Sequence, residues 1–139
     1  MNKLYIIGSL RNPKIPQIAN EFRKRGINVF DDWYSPGPKT DDHWKDYELA
    51  RGRTFKQALQ GDHAKTVFNF DKYHLSTSDA VILVLPAGKS GHMELGWMLG
   101  QEKKGYILLE PGIDRWDIMY QFADGIFETE EEMYDSLCR

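Results

Sequence analysis

Cysteine is almost absent from this chain: a single thiol, Cys138, stands beside the C-terminus of 139 residues. One thiol forms no internal disulfide and has no neighbouring thiol with which to hold a metal, so a reducing, cytoplasmic setting is expected. An excess of positive charge is missing too. Lys and Arg number 18 against 21 Asp and Glu, for a net charge of −3, which offers no overall basic field to a nucleic-acid polymer or an anionic membrane. A small anionic ligand remains compatible with this balance. No stretch approaches the roughly 18 apolar residues of a membrane span, and "MNKLYIIGSLRN" has a single lysine and too short an apolar run for a signal peptide. The G-x-G-x-x-G and G-x-x-x-x-G-K-[ST] phosphate patterns are absent, "PAGKSG" lacking the first glycine at the required spacing, which argues against an NTPase. His43, His63, His74 and His92 include no i, i+4 pair, so no metal site is expected.

What is present alternates. "KLYIIGS" reads as a strand, "NPKIPQIANEFRKRG" as a helix through Ile15, Ile18, Ala19 and Phe22 with a stop at Gly26, and "INVFDDW" as a second strand. "YSPGPKTDD" is loop. Helical spacing returns around Trp44, Tyr47 and Leu49 with a break at Gly52, and again over residues 62 to 77. "AVILVLP" is a continuous apolar run without alternation, as in a central parallel strand covered on both faces. "GHMELGWMLGQEKKG" follows as a helix, "YILLEP" as a buried strand, "DRWDIMYQFA" as a short helix, "GIFET" as a strand and "EEEMYDSLCR" as a final helix. Strands alternating with helices imply right-handed βαβ units, hence one α/β domain over residues 1–139: a three-layer, flavodoxin-like or Rossmann-like fold with a parallel sheet of about five strands. Ligands in such sheets bind beyond the strands' carboxyl ends where strand order reverses. That selects "GSLRN", "DDWYSPGPKTDD" and "PAGKSGHME".

The first chemical candidate is Glu94. The glycines at 88 and 91 suit a tight strand-to-helix loop, which predicts Glu94 in the first turn of the next helix, where free N–H groups and the helix dipole favour an ionised carboxylate. That placement fits both a favourable surface charge and a fixed nucleophile or base. Gly8, Ser9 and Arg11 form a turn that fits a phosphate as well as it fits a solvated arginine. Asp71 and Asp79 lead into the central strand, the latter as an acid or as a turn residue. Trp33, Tyr34, Trp44 and Tyr47 flank a polar loop and suit either base stacking or a satellite cluster.

Taken together, "LYIIGS", "FDKYHLSTSDAVILVLPAG" and "GHMELGWMLG" resemble the nucleoside 2-deoxyribosyltransferase superfamily, which includes the 2'-deoxynucleoside 5'-phosphate N-hydrolases. The resemblance implies that Glu94 in "MELGW" is a nucleophile, that Tyr5 touches it and that Asp71 assists the leaving base. It implies no cofactor and a homo-oligomer, a dimer or larger, with "RWDIMYQF" at an intersubunit contact. Substrate contacts are expected at Gly8, Ser9, Arg11, Trp33, Gly88, Ser90, His92 and Met119. Members of the superfamily commonly carry Asp or Ser six residues before the nucleophile, where this chain has Gly88, with Lys89 or Ser90 as substitutes; "GSLRN" is closer to the nucleotide hydrolases. The implied reaction is cleavage of the N-glycosidic bond of a 2'-deoxynucleoside or its 5'-monophosphate, with transfer of the sugar to another base or to water. A non-catalytic nucleotide-binding module is the alternative.

Overall fold

The computed structural model describes residues 1–138. Five parallel strands, β1 (Leu4–Ile7), β2 (Val29–Phe30), β3 (Ala80–Val84), β4 (Lys104–Leu108) and β5 (Gly125–Phe127), form one sheet in the order β2-β1-β3-β4-β5. This is the flavodoxin-type order, with its switch point between β1 and β3. Register is continuous across that centre: Leu4 pairs with Ala80, Tyr5 with Val81, Ile6 with Ile82 and Ile7 with Leu83.

The helices are α1 (Ile15–Lys24), α2 (Thr40–Ala50), α3 (Phe55–Leu59), α4 (Asp62–Ser76), α5 (Lys89–Gly100) and α6 (Glu130–Leu137). Strand alternation divides the core into two layers. Leu4, Ile6, Ile82 and Val84 face α1 and α6, meeting Ile15, Ile18, Phe22 and Met133. Tyr5, Ile7, Val81 and Leu83 face the opposite side, meeting Leu75 of α4 and Leu95 and Met98 of α5. Burial on both faces explains why β1 and β3 are uninterrupted apolar runs. Among the described residues no helix is long and apolar enough to cross a membrane.

Several expectations change. The second strand shrinks to Val29–Phe30 because a 3-10 turn over Asp32–Tyr34 ends it. Gly52, at φ +76°, does divide α2 from α3. The apolar stripe of α2 faces outward, leaving Tyr47 and Leu49 exposed, whereas Glu48 is buried between Arg51 and Arg53 at 3.2 and 3.3 Å. Before β5, only Ile118–Phe122 forms a helical turn, of 3-10 type, its Met119 N–H held by the Asp117 carboxylate. Asp79 is structural: its Oδ2 accepts the backbone N–H groups of Asn2 and Lys3, which holds its carboxyl below the usual range and fixes the start of β1.

Helix α5 lies close on the sheet because two glycines permit it. A Cβ on Gly91 would come within 3.0 Å of Leu83 Cδ1 and 3.2 Å of Ile7 Cγ2; one on Gly105 would come within 2.8 Å of both Leu95 and Leu99. Gly105→Val is expected to lower stability by about 1–3 kcal/mol through overpacking. Gly96→Ala, in α5 and with open space at its Cβ, should instead gain about 0.5–1 kcal/mol. Urea denaturation of the two variants reads both signs.

Candidate active site

Helix α5 begins at Lys89, so Glu94 is in its second turn, and no acidic residue lies in its first. The expected dipole stabilisation therefore does not apply to it, since that effect fades beyond the first turn. Gly91 misleads the sequence reading: it is inside the helix for close packing, not in the loop. Glu94 flanks the buried stripe of Gly91, Leu95 and Met98, which directs its carboxyl toward β1 and α4. Oε2 is buried without a hydrogen-bond partner among the described residues.

Three side chains converge there from three elements. Tyr5, from β1, is buried in the α4–α5 layer, and its hydroxyl is close enough to the Glu94 carboxylate to act on its titration as a hydrogen-bond donor. Asp71, from α4, is near enough for its charge to act on both. Burial first, and then the Asp71 charge, raise the Glu94 carboxyl to about 7 against the opposing pull of the Tyr5 hydroxyl. Burial raises Asp71 to about 6. The Tyr5 phenol is pushed up by burial and then by the two carboxylates, so it remains a donor. Two interacting carboxyls with values this close titrate as a pair, sharing one proton between about 6 and about 7.

The other expected residues divide into groups. Gly8 follows β1 under a close approach of Ile15, whose Cδ1 would lie 2.6 Å from an added Cβ. Ser9 Oγ accepts the Arg11 N–H at 3.1 Å, and the exposed Arg11 guanidinium pairs with Asp42 at 3.5 Å. Trp33 donates its indole N–H to the Ile6 carbonyl at 2.7 Å and packs against both core layers, so it acts in the core of the sheet's edge. Gly88 is the N-cap of α5, and Ser90 is exposed in the first turn. His92 faces away from the three. Two residues before Glu94, it is turned about 200° from it around the helix. Its Nδ1 bonds the Gly88 carbonyl and its Nε2 the Tyr120 hydroxyl, each at 2.8 Å. With Met119 it lines a separate groove of about 640 Å³ between α5 and residues 117–124, whose walls do not include Glu94. Among the described residues no cluster of three or more His, Cys, Asp or Glu is placed to hold a metal ion.

Sequence reasoning missed Asn12, which is buried with its Nδ2 unpartnered at the start of α1. It also missed Phe30, whose ring lies 5.1 Å from that of Tyr5. The position of Asn12 in "RNP" at a helix entry was the available signal; nothing local marked Phe30.

No family model and no curated protein sequence matches the chain. Solved structures do resemble it. A 2-deoxyribosyltransferase from Bacillus psychrosaccharolyticus superposes with a TM-score of 0.62 at 16% identity, over 94% of this chain and 89% of that one. A CMP N-glycosidase from Clostridium botulinum superposes with a TM-score of 0.58 at 14% identity, over 98% of each chain. At these identities the likeness is one of fold.

A carboxyl raised from 4.5 to about 7 binds its proton more tightly in the folded chain than in the unfolded one. Folding is therefore opposed as pH rises through that interval, and the cost is full above it. Glu94→Gln is expected to stabilise the protein by about 1–3 kcal/mol at pH 8. The gain should disappear near pH 4, as urea denaturation at the two pH values would show.

Proposed function

We propose that the chain belongs to the nucleoside 2-deoxyribosyltransferase superfamily and cleaves the N-glycosidic bond of a 2'-deoxynucleoside or its 5'-monophosphate, passing the 2-deoxyribosyl group to another nucleobase. The observation that carries this reading is the convergence of Tyr5, Asp71 and Glu94 beside the sheet's switch point, with both carboxyls raised toward neutrality. Two solved structures of this fold, a 2-deoxyribosyltransferase and a CMP N-glycosidase, support the same class of bond.

In this mechanism a Glu94 oxygen attacks C1' as the C1'–N bond breaks, and the bonding pair leaves with the base. Asp71, carrying the shared proton, delivers it to the departing base directly or through water. Unperturbed, Glu94 holds that proton more tightly than Asp71, because it is the more buried of the two. Positive charge developing on the sugar beside Glu94 reverses the order, drawing the carboxylate into its ionised form and leaving the proton on Asp71. Tyr5 keeps Glu94 aimed by its hydrogen bond. An acceptor base then attacks C1', the ester bond to Glu94 breaks, and the acceptor's proton returns to Asp71.

Hydrolysis of a 2'-deoxynucleoside 5'-monophosphate is the second reading. It is favoured by the Gly8–Asn12 turn, where, among the described residues, the Arg11 guanidinium is tied only to an exposed aspartate and so is free to exchange it for phosphate. The reaction needs no cofactor in either form. A cytoplasmic homo-oligomer fits both, because Trp116, Ile118, Met119 and Phe122 are 89, 75, 57 and 70% exposed along the segment expected between subunits.

Incubation with deoxynucleosides, their 5'-monophosphates and a free acceptor base separates the possibilities. Base exchange without free sugar is the expected result, and release of deoxyribose 5-phosphate selects the hydrolase. Glu94→Ala should lower kcat by at least about 10³-fold; turnover equal to wild type would remove Glu94 from the mechanism, and binding without product would indicate a non-catalytic module. The profile of kcat/KM against pH should be a narrow bell, falling below about 6 and above about 7 as the pair gains or loses its shared proton.

A further inference from the structure

One turn from Asp71 along α4, a second set of contacts joins the same two elements. Lys3 precedes Tyr5 by two residues and so faces the same side of the sheet. Its Nζ donates to His74 Nδ1 at 3.0 Å and to Thr77 Oγ1 at 2.8 Å. His74 follows Asp71 by three residues and so shares its helix face. Helix α4 runs back against the strand direction before β3, as a crossover helix must. Tyr5 and Asp71 thus make an upper, purely electrostatic rung between β1 and α4, and Lys3 and His74 a lower, hydrogen-bonded one.

The two rungs are joined by Phe30. Its ring stacks on His74 at 3.8 Å and 12°, and lies 5.1 Å from the Tyr5 ring at 34°. Lys3 Nζ also lies 5.4 Å from the Phe30 centroid and 5.9 Å from that of Tyr73. Lysine has no acceptor, so His74 must offer a lone pair at Nδ1 and carry its hydrogen on Nε2. Burial and the Lys3 charge both depress the basicity of the imidazole, with Asp32 opposing, which suits the acceptor role.

We infer that Lys3 and His74 are positioning residues, a clamp that fixes the register of α4 on β1 and thereby holds the Asp71 carboxyl at its working separation from Glu94 and Tyr5. Neither touches the reacting atoms. The clamp acts through Phe30 on the ring of Tyr5 and through one helical turn on Asp71. The proposal rests on the reading of Glu94 and Asp71 as the reacting pair.

Lys3→Met and His74→Phe each remove the hydrogen bond, the second keeping an aromatic ring on Phe30. Each should lower kcat about tenfold with KM nearly unchanged, since misplacement of a catalytic group acts on the chemical step. The double variant should fall no further than the worse single one, because both break one interaction. His74→Asn, whose side-chain oxygen can replace Nδ1, should recover part of the loss. Independently of turnover, carbon-13 NMR titration of the free variants should show Glu94 and Asp71 moving down toward the ordinary carboxylate range from about 7 and about 6. Thermal melts establish that each variant is folded; if His74→Phe is not, Lys3→Met carries the test. Unchanged kcat per folded molecule together with unchanged carboxyl titrations would overturn the clamp. A wild-type chain that cleaves no deoxynucleoside or deoxynucleotide would overturn the proposed reaction alone, leaving the NMR titrations to decide on the clamp.

Discussion

The site depends on β1 lying between β2 and β3 with both of its faces covered. Parallel pairing with β3 sets the register, and strand alternation then assigns every side chain of β1 to one layer or the other. Leu4 and Ile6 hold α1 and α6. Tyr5 and Ile7 face α4 and α5, and Tyr5 is the one that carries a polar end into that layer. A shift of one residue would turn the phenol toward α1 and put an isoleucine against Glu94. The geometry of the candidate site is thus a by-product of the same alternation that builds the hydrophobic core.

That arrangement opposes folding locally. Glu94 sits in surroundings that favour its neutral form, with one oxygen unpartnered and a second carboxyl nearby. The surrounding contacts hold it there. Gly91 lets α5 approach Leu83 and Ile7, Gly105 admits Leu95 and Leu99, and Met98 is fully buried. A helix packed this closely cannot rotate to release its carboxylate to water without opening gaps along the sheet. Apolar burial along one face of α5 maintains an electrostatic configuration on its flank.

The fold was largely legible. "AVILVLP" has the composition of a doubly covered strand and is one, and the helix expected over residues 62 to 77 ends at Ser76. Legibility failed where residues had two uses. Gly91 has the chemistry of a loop residue but is in a helix, which moved Glu94 from the first turn to the second. Leu49 and Tyr47 have the spacing of a buried stripe, but the buried residue of α2 is Glu48, made tolerable by two arginines that a helical pattern does not reveal. Tyr5 and Asp71 could be named from the resemblance, and their meeting with Glu94 is what strand and helix phase produce. Lys3 and His74 lie 71 positions apart, and Phe30 and Tyr5 are on different strands. No local pattern encodes such contacts; only the assembled sheet brings them together.

Gly88 stands apart from these constraints. Its φ of −94° is accessible to every residue, and a Cβ there would meet nothing within 4 Å. It caps the helix that carries Glu94, yet neither packing nor backbone conformation demands glycine. The protein therefore separates what must stay from what is free to vary. The interior partners of Glu94 are locked into the core, while the entrance to its helix accepts side chains of different size and polarity at small thermodynamic cost. A larger or more polar residue at this exposed position would reshape the entrance to the helix while leaving the buried contacts around Glu94 in place.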